Sequence, residues 1–87
     1  MERIIHLEAR PPYRLYVEFD DGVRGELDMA GRLNGPVFEP LRDPAFFARV
    51  QLDEYGVPSW PNGADIAPDA LHDRLAGAAG ARRAPER

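Results

Sequence analysis

A chain of 87 residues, 44% hydrophobic and 9% aromatic, has the composition of one small globular domain and is too short for a second core. It contains no cysteine, which excludes disulfides, thiolate nucleophiles and cysteine-based zinc or iron–sulfur sites. The net charge of −4 divides into −6 over residues 1–76 and +2 over residues 77–87; an acidic domain repels a phosphate backbone, so direct nucleic-acid binding is unfavourable.

No run approaches the roughly 18 consecutive apolar residues of a membrane-spanning helix, and MERIIHLEAR lacks the basic-then-apolar order of a signal peptide. The expected location is cytoplasmic, with no membrane partner. Every basic residue is Arg. Biased base composition, which also fits the abundance of Ala, Gly and Pro, accounts for this better than guanidinium-specific recognition does.

Residues 3–8, RIIHLE, predict a first strand whose facing is ambiguous because Ile4 and Ile5 are adjacent. Pro11 and Pro12 interrupt it. Tyr13, Leu15, Val17 and Phe19 then alternate with polar or charged neighbours, the mark of a strand with one buried face. A two-residue turn at Asp21-Gly22 would set Phe19 opposite Arg24. A three-residue loop ending in a left-handed Gly22 instead pairs Phe19 with Val23, Val17 with Gly25 and Leu15 with Leu27, and on the other face Glu18 with Arg24 and Arg14 with Asp28. Charge and core agree, so this hairpin is predicted.

Residues 29–41 have little periodicity and predict a turn and a connection, with a short extended piece at Val37-Phe38. Asp43-Pro44 predicts a helix start, Asp43 as cap and Pro44 in the first turn, with Phe46, Phe47 and Val50 on its apolar face. A second hairpin closed by Glu54-Tyr55-Gly56 sets Leu52 opposite Pro58 and Val50 opposite Trp60; Pro58 places its strand at an edge or makes it irregular. Pro61-Asn62-Gly63 is another turn. A final helix starting at Pro68 has Leu71 and Leu75 on one face. Residues 77–87 lack any large apolar side chain and predict a disordered C-terminal tail.

The succession FDDG, GPVFEPLRDPAFF and WPNGADIAPDAL resembles a small bacterial domain-of-unknown-function family, DUF2442, over residues 3–75. The tryptophan-bearing string is the specific part. The resemblance implies a compact α+β fold, no established activity and no established catalytic residues. Some members carry a helix-turn-helix domain after this one, for which this chain leaves no room, and members are often encoded beside another small protein in an arrangement suggestive of toxin and antitoxin. This chain has Ala67 where the family's Ser or Asp helix cap is expected, and His72 where Tyr is usual.

Asp65, Asp69 and Asp73 are spaced four apart, so three carboxylates could line the helix start and hold magnesium or calcium, with His72 as a proton acceptor. The simpler account is that aspartates there offset the positive helix end, Asp65 accepting from free N–H groups of the first turn. Ser59 with His72 or His6 makes a poor triad, because no nucleophile-elbow glycines surround it; no glycine spacing cradles phosphate. Trp60 suits either an interface anchor or a core position facing Val50. Tyr16, on the charged strand face between Arg14 and Glu18, suits a protein contact unless the first strand or residues 29–41 half cover it.

The expected architecture is therefore a single α+β domain over residues 1–76: antiparallel hairpins forming a sheet, one short helix and a C-terminal helix. The expected function is non-catalytic protein interaction or regulation, antitoxin-like toward a partner encoded nearby, with Tyr16, Trp60, Asn62 and Asp65 as binding candidates and no cofactor. The alternative is a small metal-dependent or acid–base enzyme using Asp65, Asp69, Asp73 and His72. Self-association through an exposed strand edge is a further expectation.

Overall fold

The computed structural model describes the backbone of residues 3–83 and the side chains of residues 3–77. Three strands, β1 (Ile4–Arg10), β2 (Arg14–Phe19) and β3 (Arg24–Asp28), form an antiparallel sheet in that order. The β2–β3 register is the predicted one: Leu15 faces Leu27, Val17 faces Gly25, Glu18 faces Arg24 and Arg14 faces Asp28. Phe19 N–H donates to the Val23 carbonyl at 2.8 Å, and Gly22 has φ 93°, where a side chain would be strained. Leu15, Val17 and Phe19 are buried, as alternation requires.

A register shift between Ile4 and His6 settles the ambiguity of β1. The bulge turns Ile4 into the core, at 8% exposure, and leaves Ile5 63% exposed. β1 runs on to Arg10, paired with Arg14 across the Pro11-Pro12 turn.

Residues 29–42 cover one end of the sheet with short 3-10 turns at Ala30–Arg32 and Glu39–Arg42. The extended piece expected at Val37-Phe38 is instead a turn. Gly35, at φ 89°, and Pro36 redirect the chain, and Glu39 N–H closes back on the Gly35 carbonyl at 2.9 Å. Leu33 and Leu41 enter the core.

Helix α1 (Pro44–Phe47) starts as predicted: the Asp43 carboxylate accepts from Ala45 N–H at 3.0 Å, and Pro44 occupies the first turn. Phe47 is buried, with Phe46 and Val50 partly covered against the core.

The second hairpin joins β4 (Gln51–Leu52) and β5 (Pro58–Ser59), with Leu52 opposite Pro58. Helix α2 (Pro68–Arg83) begins at the predicted proline and buries Leu71 and Leu75. A Cβ on Gly25 would lie 2.9 Å from Leu75 Cδ2, so the missing side chain lets α2 approach β3. Its backbone continues into residues 77–83, beyond the domain boundary expected at residue 76; residues 84–87 of the expected tail lie outside the described residues.

Candidate protein-recognition groove

The β1 bulge, the β4–β5 turn and the start of α2 meet around a shallow groove of about 650 Å³, lined by Arg3, Ile4, Ile5, Asp20, Tyr55, Gly56, Val57, Ala67, Pro68 and Asp69. Its wall is mostly apolar. The bulge presents Ile5, and the turn presents Tyr55, which is 80% exposed. The Asp53 carboxylate stiffens that turn by accepting from Tyr55 N–H at 2.8 Å and from Val57 N–H at 3.0 Å. At the opposite corner, Asp20 accepts from Arg3 N–H at 3.1 Å and donates its own N–H to the Arg3 carbonyl at 2.8 Å. Two acidic residues, Asp20 and Asp69, and one basic residue, Arg3, border the groove.

The residues singled out from the sequence do not gather here. Tyr16 is half-buried on the outer sheet face, with the Arg10 guanidinium 4.5 Å from its ring centre and the His6 ring 6.0 Å away. Its hydroxyl donates to Glu18 at 2.5 Å, and the Glu18 carboxylate raises the phenol above its ordinary range by favouring the protonated form. Trp60 is only 4% exposed; its indole N–H donates to the Phe47 carbonyl at 2.9 Å and its ring centre lies 5.7 Å from that of Phe47. It is a core residue, although the paired register stops at Gln51 and Ser59, short of the expected match with Val50.

Both ends of the Asn62 amide are occupied within the chain. The NH₂ donates to the Val37 carbonyl at 2.8 Å, and the oxygen accepts from Ala64 N–H at 3.1 Å. Asn62 thus ties its turn to the redirected Val37 segment.

Asp65 forms an isolated bridge with Ser59. Its carboxylate takes none of the hydrogen bonds expected from the first turn of α2 among the described residues, because the extended backbone carries it to a different hollow, beside Met29 and Phe38, while Asp69 lines the groove. Among the described residues no three acidic or histidine side chains come together as a metal-binding group, so the Asp65, Asp69, Asp73 constellation is not assembled. His72 turns away from it: Nε2 lies 2.7 Å from Asp21 Oδ2, and the ring stands edge-on to Phe19 at 4.8 Å. The Ser59 hydroxyl donates to the Gln51 carbonyl at 3.4 Å rather than meeting a histidine.

Sequence reasoning missed the Asp21–His72 contact and the groove. The first joins residues 51 apart and leaves no local pattern. The second had one signal, the unresolved facing of Ile4 and Ile5.

The model of a family described as protein of unknown function (DUF2442) matches residues 4–77. Comparison with curated proteins gives no match. Among solved structures, that of a candidate DNA-binding protein from Nitrosomonas europaea superposes with a TM-score of 0.78 and 29% identity, covering 92% of this chain and 52% of the other. This chain therefore spans about half the length of that neighbour.

Proposed function

We propose, for a chain that belongs to the DUF2442 family, a non-catalytic recognition domain that takes an apolar, basic segment of a protein partner into the groove bordered by Ile5 and Tyr55. The observation that carries this is the pairing of two exposed large apolar side chains with an apolar hollow, a surface that costs free energy unless something covers it. The excess of carboxylate around the groove, on a domain of net charge −6, favours a basic partner.

The gene context implied by the family resemblance points to a product encoded nearby, toward which this chain is antitoxin-like or regulatory. The likeness to a protein named as a DNA-binding candidate supports a regulatory setting and supplies the second reading, direct DNA contact. The acidic charge of the domain weighs against that second reading. No described helix is long and apolar enough to cross a membrane.

Co-expression with the neighbouring gene product tests the first reading. Retention by the wild-type chain and its loss in Tyr55→Asp, with the variant's melting temperature unchanged, is the expected outcome; if the wild-type chain retains nothing, the reading fails. Fluorescence anisotropy on duplex DNA separates the second, since binding that weakens steeply with salt would favour it.

A further inference from the structure

The hydrogen bonds that close the sheet also determine which backbone groups are left over. Phe19 N–H donates to Val23 O at one end of the β2–β3 pair, and Met29 N–H to Tyr13 O at the other, both at 2.8 Å. Antiparallel ladders alternate, so the odd-numbered residues of β2 bond to β3 and the even-numbered ones to β1. His6, Glu8 and Arg10, which face Glu18, Tyr16 and Arg14, are therefore the β1 residues bonded to β2. By the same alternation, the N–H and C=O groups of Leu7 and Ala9 point out from the free edge of β1, which no described strand pairs.

The two free edges differ in kind. On β3, the outward backbone groups belong to Arg24, Glu26 and Asp28, and charged residues of this type discourage further pairing. A twofold pairing of that edge about Glu26 would also set Glu26 against its own copy. On β1, the outward groups carry only apolar side chains, and the exposed Ile5 precedes them. An uncharged edge of this kind is a template for another strand.

We propose that the occupant is a second copy of this chain, added antiparallel through β1 about a twofold axis at Leu7. In that register Leu7 meets the partner's Leu7 on the core-side face, while His6 meets the partner's Glu8 on the outer face. The first pairing joins like with like and the second an imidazole with a carboxylate, and outward backbone groups meet outward backbone groups. A shift of one residue destroys both matches at once. The result is a continuous sheet of six strands, two three-stranded sheets joined. Both copies are acidic, so added salt, by screening their repulsion, strengthens the dimer.

This interface lies beyond the groove reading and is tested on the chain alone, with no other partner present. The chain has no cysteine, so engineered thiols report cleanly. In the proposed register position 6 of one copy faces position 8 of the other, so an oxidised mixture of His6→Cys and Glu8→Cys chains should give roughly tenfold more cross-linked dimer than either variant alone, where the thiols lie too far apart. Light scattering after size exclusion should give the mass of two chains for the wild type and of one for Ala9→Pro, which removes an outward N–H without touching the β1–β2 ladder. Circular dichroism confirms that the proline variant folds. A wild-type chain that is monomeric at all concentrations, or cross-linking no greater in the mixture than in the single variants, overturns the proposal.

Discussion

The β2–β3 and β4–β5 hairpins are closed by the same turn and come to very different lengths. In each, the residue before the loop donates its N–H to the residue after it, at 2.8 Å from Phe19 to Val23 and 3.0 Å from Asp53 to Val57. In each, a glycine ends the loop at positive φ, 93° at Gly22 and 77° at Gly56. Yet the first ladder continues through five residue pairs and the second through two. Ladder bonds alternate, so the next bonding rung of the second would join Arg49 and Pro61. Neither can supply an amide: Arg49 N–H donates to Phe46 O at 3.0 Å at the end of α1, and Pro61 has no N–H. A turn sets register, and the length of a strand depends on whether its neighbours leave its amides free.

The largest contrast should appear in the side chains of the two ladders. Leu15 in β2 is fully buried, whereas Leu52 in β4 is 36% exposed. Leu15→Ala should cost about 3 kcal/mol through lost burial and the cavity left behind, and Leu52→Ala about 0.5 kcal/mol or less. Urea unfolding of both variants measures the difference. Equal losses would mean that the short hairpin is as much a part of the cooperative core as the long one.

What holds the second hairpin, on this account, is the tryptophan at its end. Trp60→Phe removes the indole donor to the Phe47 carbonyl, which then keeps the longer bond from Val50 N–H at 3.3 Å, a loss of about 1 kcal/mol. The same chemical denaturation series should place this variant between the two leucine variants. A cost as small as that of Leu52→Ala would show that water replaces the indole and that the ladder alone suffices.

The turns themselves should respond alike. Neither Gly22 nor Gly56 has an atom within 4 Å of where a Cβ would stand, so Gly22→Ala and Gly56→Ala each bear only the conformational penalty of positive φ, about 1 kcal/mol. Melting temperatures of the two variants, compared at one pH, check this equality. A much larger loss at Gly22 would tie turn and strand length together after all.

The same contrast explains what could be read from the sequence. The β2–β3 register was legible because two independent patterns, buried alternation at Leu15, Val17 and Phe19 and charge pairing at Glu18 with Arg24, excluded the other turn. The caps at Asp43 and Pro44 were legible because helix starts are local. Val37-Phe38 was not, since Gly35 and Pro36 outweighed the strand propensity of two apolar residues. The candidate site was scarcely legible. The aspartate spacing assumed that Asp65 continues the line of α2, and the bridge to Ser59 carries it elsewhere. Ile5 and Tyr55 belong to segments remote in the chain, and no periodicity reports that their exposed side chains border one hollow.

The smallest expected effect distinguishes the two turns by what covers them. The first is clasped by α2 through Asp21 and His72, and the Asp21 carboxyl lies below its ordinary range because His72, and then Val23 N–H, hydrogen-bond to its charged form. A carboxyl whose pKa is lowered in the folded state contributes stability that is fully present above its unfolded value, near pH 4, and is lost as pH falls through the lower folded value. Asp21→Asn keeps a polar side chain in the turn but removes that ionisation. Its urea midpoint should therefore fall less than that of the wild type between neutral pH and pH 3, with the two curves parallel at higher pH and converging below about pH 4. Because Asp21 is exposed, the difference should shrink in high salt. Parallel curves across the whole range would mean that the contact positions the first turn on the helix without contributing through charge.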